Sequence, residues 1–188
     1  MGKLTLKVPE LEELEYRQKL LSDPKTMEYN KGYKREVKGY NPETGTIEFP
    51  REQWDRFYKA ITTDQNKYFA YLINTENNEK IGYVQFIYKT NDYHYLCSIV
   101  IEASQRGKGY AEEAFKLMLG KAFDDYNLPA LWYDVPESRT SLLKLLNRIG
   151  FEISPAIYYT NRFGKDEVMY RTYITKEKYE QIKANDNK

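Results

Sequence analysis

The junction running from Ser98 to Ala114, SIVIEASQRGKGYAEEA, constrains this chain more than any other stretch. Ser98 to Ile101 is apolar and β-branched, as a buried strand should be. Beyond the turn, Ala111, Ala114, Phe115, Met118, Leu119 and Ala122 recur on one stripe, which predicts a helix over 107–126. A helix that begins straight after a strand presents unpaired backbone N–H groups and the positive end of its dipole. Gly107 and Gly109 let a ligand anion approach that backbone, and Ala111 keeps the first turn uncrowded. Arg106 and Lys108 are predicted to add positive charge beside the same anion. Residues 106–111 therefore read as an anion nest.

Two nucleotide motifs compete for this turn and both fail on spacing. A P-loop needs Lys and then Ser or Thr after its last glycine, but Tyr110 follows Gly109. A dinucleotide fingerprint needs a third glycine where Glu112 stands, and it belongs to a parallel sheet. The surrounding pattern is instead a meander. Runs at 68–73, 80–88 and 93–101 are rich in aromatic and β-branched residues, with turn-forming residues at 74–79 and 90–92.

The remaining elements follow from the same rules. Leu4 to Val8 alternates as a first strand, and a helix is predicted from Glu10 to Leu21, stopped at Ser22-Asp23-Pro24. Trp54, Phe57, Tyr58 and Ile61 mark an amphipathic helix over 51–61. Between these helices, 25–50 has no sustained period and holds several Gly and Pro residues, so it reads as a surface excursion. Downstream come a strand at 131–135, a helix at 138–149 closed by Gly150, and a hairpin of 151–159 with 167–174. A charged helical tail at 176–183 is predicted to fray. This order predicts one α+β domain over 1–188, with a central mixed, mostly antiparallel sheet flanked by helices.

Composition removes several functional classes. Twenty-nine basic residues against 28 acidic ones leave a net charge of +1, which gives nucleic acid or an anionic membrane no field to recognise. A lone cysteine, Cys97, forms no intrachain disulfide, and without a Cys/His cluster no metal is predicted. The N-terminus lacks a signal peptide's apolar core and no run approaches membrane-spanning length, so a cytoplasmic protein is expected.

With the nucleotide motifs excluded, Arg106, Gly109 and Ala111 form R-x-x-G-x-A. This resembles the acetyl-CoA pyrophosphate loop of the GNAT superfamily of N-acetyltransferases, whose motif is Q or R, two residues, G, one residue, then G or A. Gly150-Phe151 falls where that superfamily opens its next strand. The resemblance covers 68–174, the expected CoA-binding core, with an acceptor-side excursion at about 22–66. The layout SIVIEASQRGKGYAEEAFKLML, then VPESRTSLLKLLNRIGFE, looks closest to the RimJ/RimL-type members.

The resemblance implies acetyl-CoA as co-substrate and direct attack by a primary amine, a small molecule or a peptide N-terminus. Main-chain groups of Ile99, Val100 and Ile101 would pair with the pantetheine arm. Backbone N–H groups of Arg106, Gly107, Lys108, Gly109, Tyr110 and Ala111 would hold the pyrophosphate. Arg139 stands where relatives carry an Asn that touches the cofactor, and its guanidinium would reach a CoA phosphate. His94 and Glu102, at the two ends of the fourth strand, are the candidates to relay the amine's proton. Leu146 occupies the position of the tyrosine acid found in many relatives, which permits a non-catalytic CoA or acyl-CoA sensor as the alternative. An unrelated phosphate-binding domain is the third reading, and a homodimer is an option. Aromatic residues of the excursion, Tyr29, Tyr33, Tyr40 and Phe49 among them, would line the acceptor pocket or fill its core.

Overall fold

The computed structural model describes residues 2–92 and 94–186, so the predicted first residue of the fourth strand, Tyr93, lies outside the described residues. The alternating runs become strands: β1 (Leu4–Lys7), β2 (Lys67–Asn74), β3 (Lys80–Lys89), β4 (His94–Ile101), β5 (Ala130–Pro136), β6 (Glu152–Arg162) and β7 (Lys165–Thr175). They make one sheet in the order β1-β2-β3-β4-β5-β7-β6. Every pairing is antiparallel except β4 with β5, which is parallel and has the single register pair Leu96 and Trp132. Both strands run on past that pair without meeting again, so the sheet is split at its centre.

Side-chain alternation divides the sheet into two packed faces. Tyr68, Ala70, Leu72, Phe86 and Cys97 face α4 (Tyr110–Gly120) and α5 (Thr140–Arg148). Phe69, Tyr71, Ile73, Tyr83 and Val100 face the other way, toward α1 (Leu14–Ser22) and α3 (Trp54–Thr63). The short α2 (Pro24–Met27) was not predicted. Asp23 ends α1 and caps α2, accepting from Lys25 N at 3.1 Å and Thr26 N at 3.0 Å.

Three other expectations change. The helix predicted from 107 starts at Tyr110, because Gly107 and Gly109 adopt positive φ, and it continues past Gly120 as a π-helical turn, Lys121–Asp125. The hairpin tightens to a two-residue turn, Phe163-Gly164, both at positive φ, which lengthens both strands. The tail forms α6 (Lys176–Asp186) and docks: Tyr179 lies 5.0 Å from Phe123 between ring centroids and donates to Asp124 at 2.8 Å. Ile182 fills the space that a side chain at Gly150 would need, so Gly150 is required both for its φ of 101° and for this contact.

The excursion packs onto the sheet through long-range bonds that no local period encodes. Ile47 N donates to Leu21 O at 2.9 Å, Phe163 N to Gly32 O at 2.7 Å, and Arg162 Nε to Lys31 O at 2.9 Å. The β6–β7 hairpin tip and the excursion thereby close around the α1/α3 face of β4 and β5.

Candidate active site

After β4, Glu102 leads into a 3₁₀ turn, Ala103–Gln105, and the chain reaches α4 through Gly107 (φ 76°) and Gly109 (φ 84°). Gly109 is the N-cap and no side chain caps the helix, so its first N–H groups keep their donor capacity. A Cβ built on Gly107 or Gly109 meets nothing within 4 Å, which leaves open space in front of both. The acids of the first turn are turned aside. Glu113 accepts from Leu4 N at 2.9 Å, while Lys116 and Arg148 bind Glu112 and hold its carboxyl below the usual range.

Arg106 does not serve the nest as predicted. Its Nε donates to Ile101 O at 3.2 Å, Nη1 to Lys25 O at 3.3 Å and Nη2 to Thr26 O at 2.5 Å, with Glu28 at 3.2 Å. The Lys25 and Thr26 carbonyls belong to the short α2 and that of Ile101 to β4, so Arg106 fastens the root of the excursion to the end of β4. Lys108 stays at the surface and donates to Gln105 Oε1 at 2.8 Å. Both flanking cations are thus engaged with protein groups, and the open donors at this turn are backbone N–H groups.

Where β4 and β5 part, the parity of β4 decides which main-chain groups are available. Glu102 N donates to Ile81 O of the loop entering β3 at 2.9 Å, so by alternation Val100 also points at β3. Ile99 and Ile101 point toward the gap, and Arg106 already takes Ile101 O. Ile99 is the free edge of the split. Its N–H lies against the hydroxyl of Tyr133, which reaches into the gap from β5 with its ring against Phe115, 5.6 Å away. Burial pushes the Tyr133 phenol up to about 12, against the opposing pull of Arg139 and of this amide.

The gap opens onto a cleft of about 870 Å³ on the α1/α3 face. Leu96, Ser98 and Val100 form its floor, with Tyr133 and Asp134 at the gap and the excursion as its roof. Ser98 Oγ accepts from Gln85 at 2.8 Å, and Asp134 is held by Arg171 at 3.0 Å. Arg139, the N-cap of α5, also lines the cleft, stacked 5.2 Å over Tyr29.

His94 and Glu102 are not brought together. They sit eight residues apart at the ends of β4, roughly 26 Å along an extended chain. His94 Nδ1 contacts Asp92 O at 3.0 Å, its Nε2 is buried without a partner, and its ring packs on Trp132. Glu102 accepts from Tyr16 at 3.0 Å and faces Lys19 at 3.5 Å. Neither lines the cleft. Leu146 is core, 1% exposed, and burial raises the thiol pKa of Cys97 beyond any nucleophilic role. Tyr133 and Arg17 are among the cleft residues that the sequence reading did not single out.

Comparison with protein-family models matches residues 3–152 to the acetyltransferase (GNAT) domain. The chain belongs to the GNAT acetyltransferase family. This GNAT protein is accordingly an acetyl-CoA-dependent N-acetyltransferase. The uncapped N-terminus of α4, with open space before two glycines, fits the diphosphate of that donor. A search of curated protein sequences finds no match. Among solved structures it is similar to spermidine N-acetyltransferase from Vibrio cholerae in complex with CoA and spermine, at 20% identity and a TM-score of 0.74. That match covers 94% of this chain and 98% of the other. A chimera of the Vibrio enzyme with hSSAT gives 18% identity and a TM-score of 0.73 over 96% and 99% of the two chains. The manganese-bound form gives 18% identity and 0.69 over 95% and 96%. At such identities the likeness speaks for the shared fold. No group of His, Cys, Asp and Glu among the described residues is arranged to hold a metal, and no described helix is long and apolar enough to cross a membrane.

Proposed function

We propose that this GNAT enzyme acetylates a small primary amine seated in the cleft beneath the excursion. The observation that carries the reading is the split between β4 and β5, which joins the α4 N-terminus on one face to a roofed cleft on the other. Its volume, about 870 Å³, suits a small molecule and an acyl group. The RimJ/RimL-like layout of the motif points to protein N-termini instead; the roofed shape of the cleft favours the small amine.

Backbone N–H groups from Gly107 to Ala111 hold the diphosphate, and Ile99 N–H turns from the Tyr133 hydroxyl to the incoming thioester carbonyl, which it polarises. The amine nitrogen attacks that carbon, the carbon–sulfur bond breaks, and the amine's proton leaves to water in the open cleft. Tyr133 donates its proton to the departing sulfur and takes one back from water in the cleft. A phenol that holds its proton up to about 12 acts as donor rather than base at neutral pH. Leu146 is then no obstacle to catalysis, because the hydroxyl comes from β5. His94 and Glu102 have structural work: packing Trp132, and holding α1 through Tyr16.

Incubation with acetyl-CoA and a panel of primary amines should release free thiol in an amine-dependent way. Acetyl-CoA that binds yet releases no thiol with any amine would make the protein a sensor. A buried single thiol and an acetyl-CoA donor agree with a cytoplasmic enzyme. A homodimer would use the apolar edge of β6, where Ile153 is 56% exposed, and sedimentation as a monomer would count against it.

A further inference from the structure

The cleft holds more positive charge than an amine acceptor alone explains. Arg17, Arg35, Lys38, Arg56 and Arg139 line it against two carboxylates, Glu48 and Asp134, and Arg171 already binds Asp134. Such a wall repels a protonated amine, and a polyamine most of all. Arg17 differs most from an ordinary surface arginine. It lies on the buried stripe of α1, three residues after Leu14, with its guanidinium carbon 4.1 Å from the Phe49 ring centroid and 4.3 Å from that of Phe57. Its Nε is sealed from solvent without a hydrogen-bond partner, and no carboxylate pairs with it among the described residues. A guanidinium held in an aromatic box without a counter-ion is costly to fold, and becomes favourable when an anion completes it. Its planar fork matches a carboxylate or a phosphate.

We infer that the acceptor is a primary amine that also carries an anionic group, a carboxylate or a phosphate, received by Arg17. This rests on the acetyl-transfer reading above. The anion is distinct from the donor's diphosphate, because α1 packs on the Phe69 and Tyr71 face of the sheet and α4 on the opposite one. Arg35, Lys38 and Arg56 stand exposed at the cleft and draw the same ligand in.

The test uses matched amines: phenylalanine against phenethylamine, O-phosphoethanolamine against ethanolamine, with spermidine as a further arm. Binding is read by calorimetry in the presence of CoA, so it does not depend on turnover. One anionic member should bind at least about tenfold tighter than its neutral twin, and the pair that shows the gain distinguishes carboxylate from phosphate. Arg17→Met should weaken that member on the order of 100-fold while leaving its twin and CoA nearly unchanged. Arg17→Lys, which keeps the charge, should retain part of the preference if Met disturbs folding. Equal binding of both twins, no binding by any anionic amine, tighter binding of spermidine, or equal weakening of CoA by Arg17→Met would each overturn the inference. Failure of the acetyl-transfer reading would appear separately, as acetyl-CoA from which no amine releases thiol.

Discussion

Gly109→Val weakens acetyl-CoA binding by about 100-fold or more, close to 2.7 kcal/mol, and leaves the fold standing. Gly109 has φ 84°, and a Cβ there projects into empty space, the space the diphosphate is argued to occupy. The Cβ therefore meets no protein atom within 4 Å, and the branched side chain excludes the ligand from the backbone N–H groups. Its left-handed conformation adds strain of about 1–2 kcal/mol, enough to lower the melting temperature by a few degrees. Gly164→Val is the matched control. Gly164 sits at the hairpin tip with φ 76° and the same open surroundings, so it suffers the same strain away from the site. Calorimetry should show normal acetyl-CoA affinity for Gly164→Val and a near loss for Gly109→Val. Equal affinities in the two variants would remove the diphosphate from the α4 N-terminus.

The second large effect concerns the proton. Tyr133→Phe keeps the ring that packs against Phe115 and deletes only the hydroxyl beside Ile99 N–H. If that hydroxyl serves the departing sulfur, kcat and kcat/KM for the best amine fall together by about 100-fold, with KM for acetyl-CoA little changed. A tyrosine that merely fills the core predicts the opposite, since phenylalanine fills it equally well. Steady-state thiol release at saturating amine decides between them, and a kcat within about twofold of the parent would sink the donor role.

How much of this was legible beforehand depends on how local the determinants are. The meander, the β5–α5 unit and the glycine turn follow from alternation, helical spacing and positive-φ demand, all written within a few residues. Arg106 shows where that ends. Sequence gave its charge and its neighbourhood, but its partners are carbonyls of Lys25 and Thr26, some 80 residues away. Tyr133 was hidden for a related reason: in Leu131–Val135 it reads as one more inward residue of a short strand. Only the loss of pairing after Leu96 and Trp132 turns its hydroxyl into a gap residue. Arg17 did leave a trace. An arginine on the stripe between Leu14 and Leu21 breaks the apolar pattern of α1, and such a break asks what the charge is for. The excursion was visible only as a stretch without a period; how it packs was not, because Ile47, Gly32 and Lys31 are fixed by bonds to distant residues.

Donor and acceptor are proposed to meet through the split between β4 and β5. A crystal structure with CoA bound tests it most directly. The diphosphate should lie on the N–H groups of Gly107 to Ala111 and the sulfur in the gap beside Ile99 and the Tyr133 hydroxyl, open to the cleft that Arg17 lines. A diphosphate held elsewhere, or a sulfur that ends outside the gap between Ile99 and Tyr133, would contradict it.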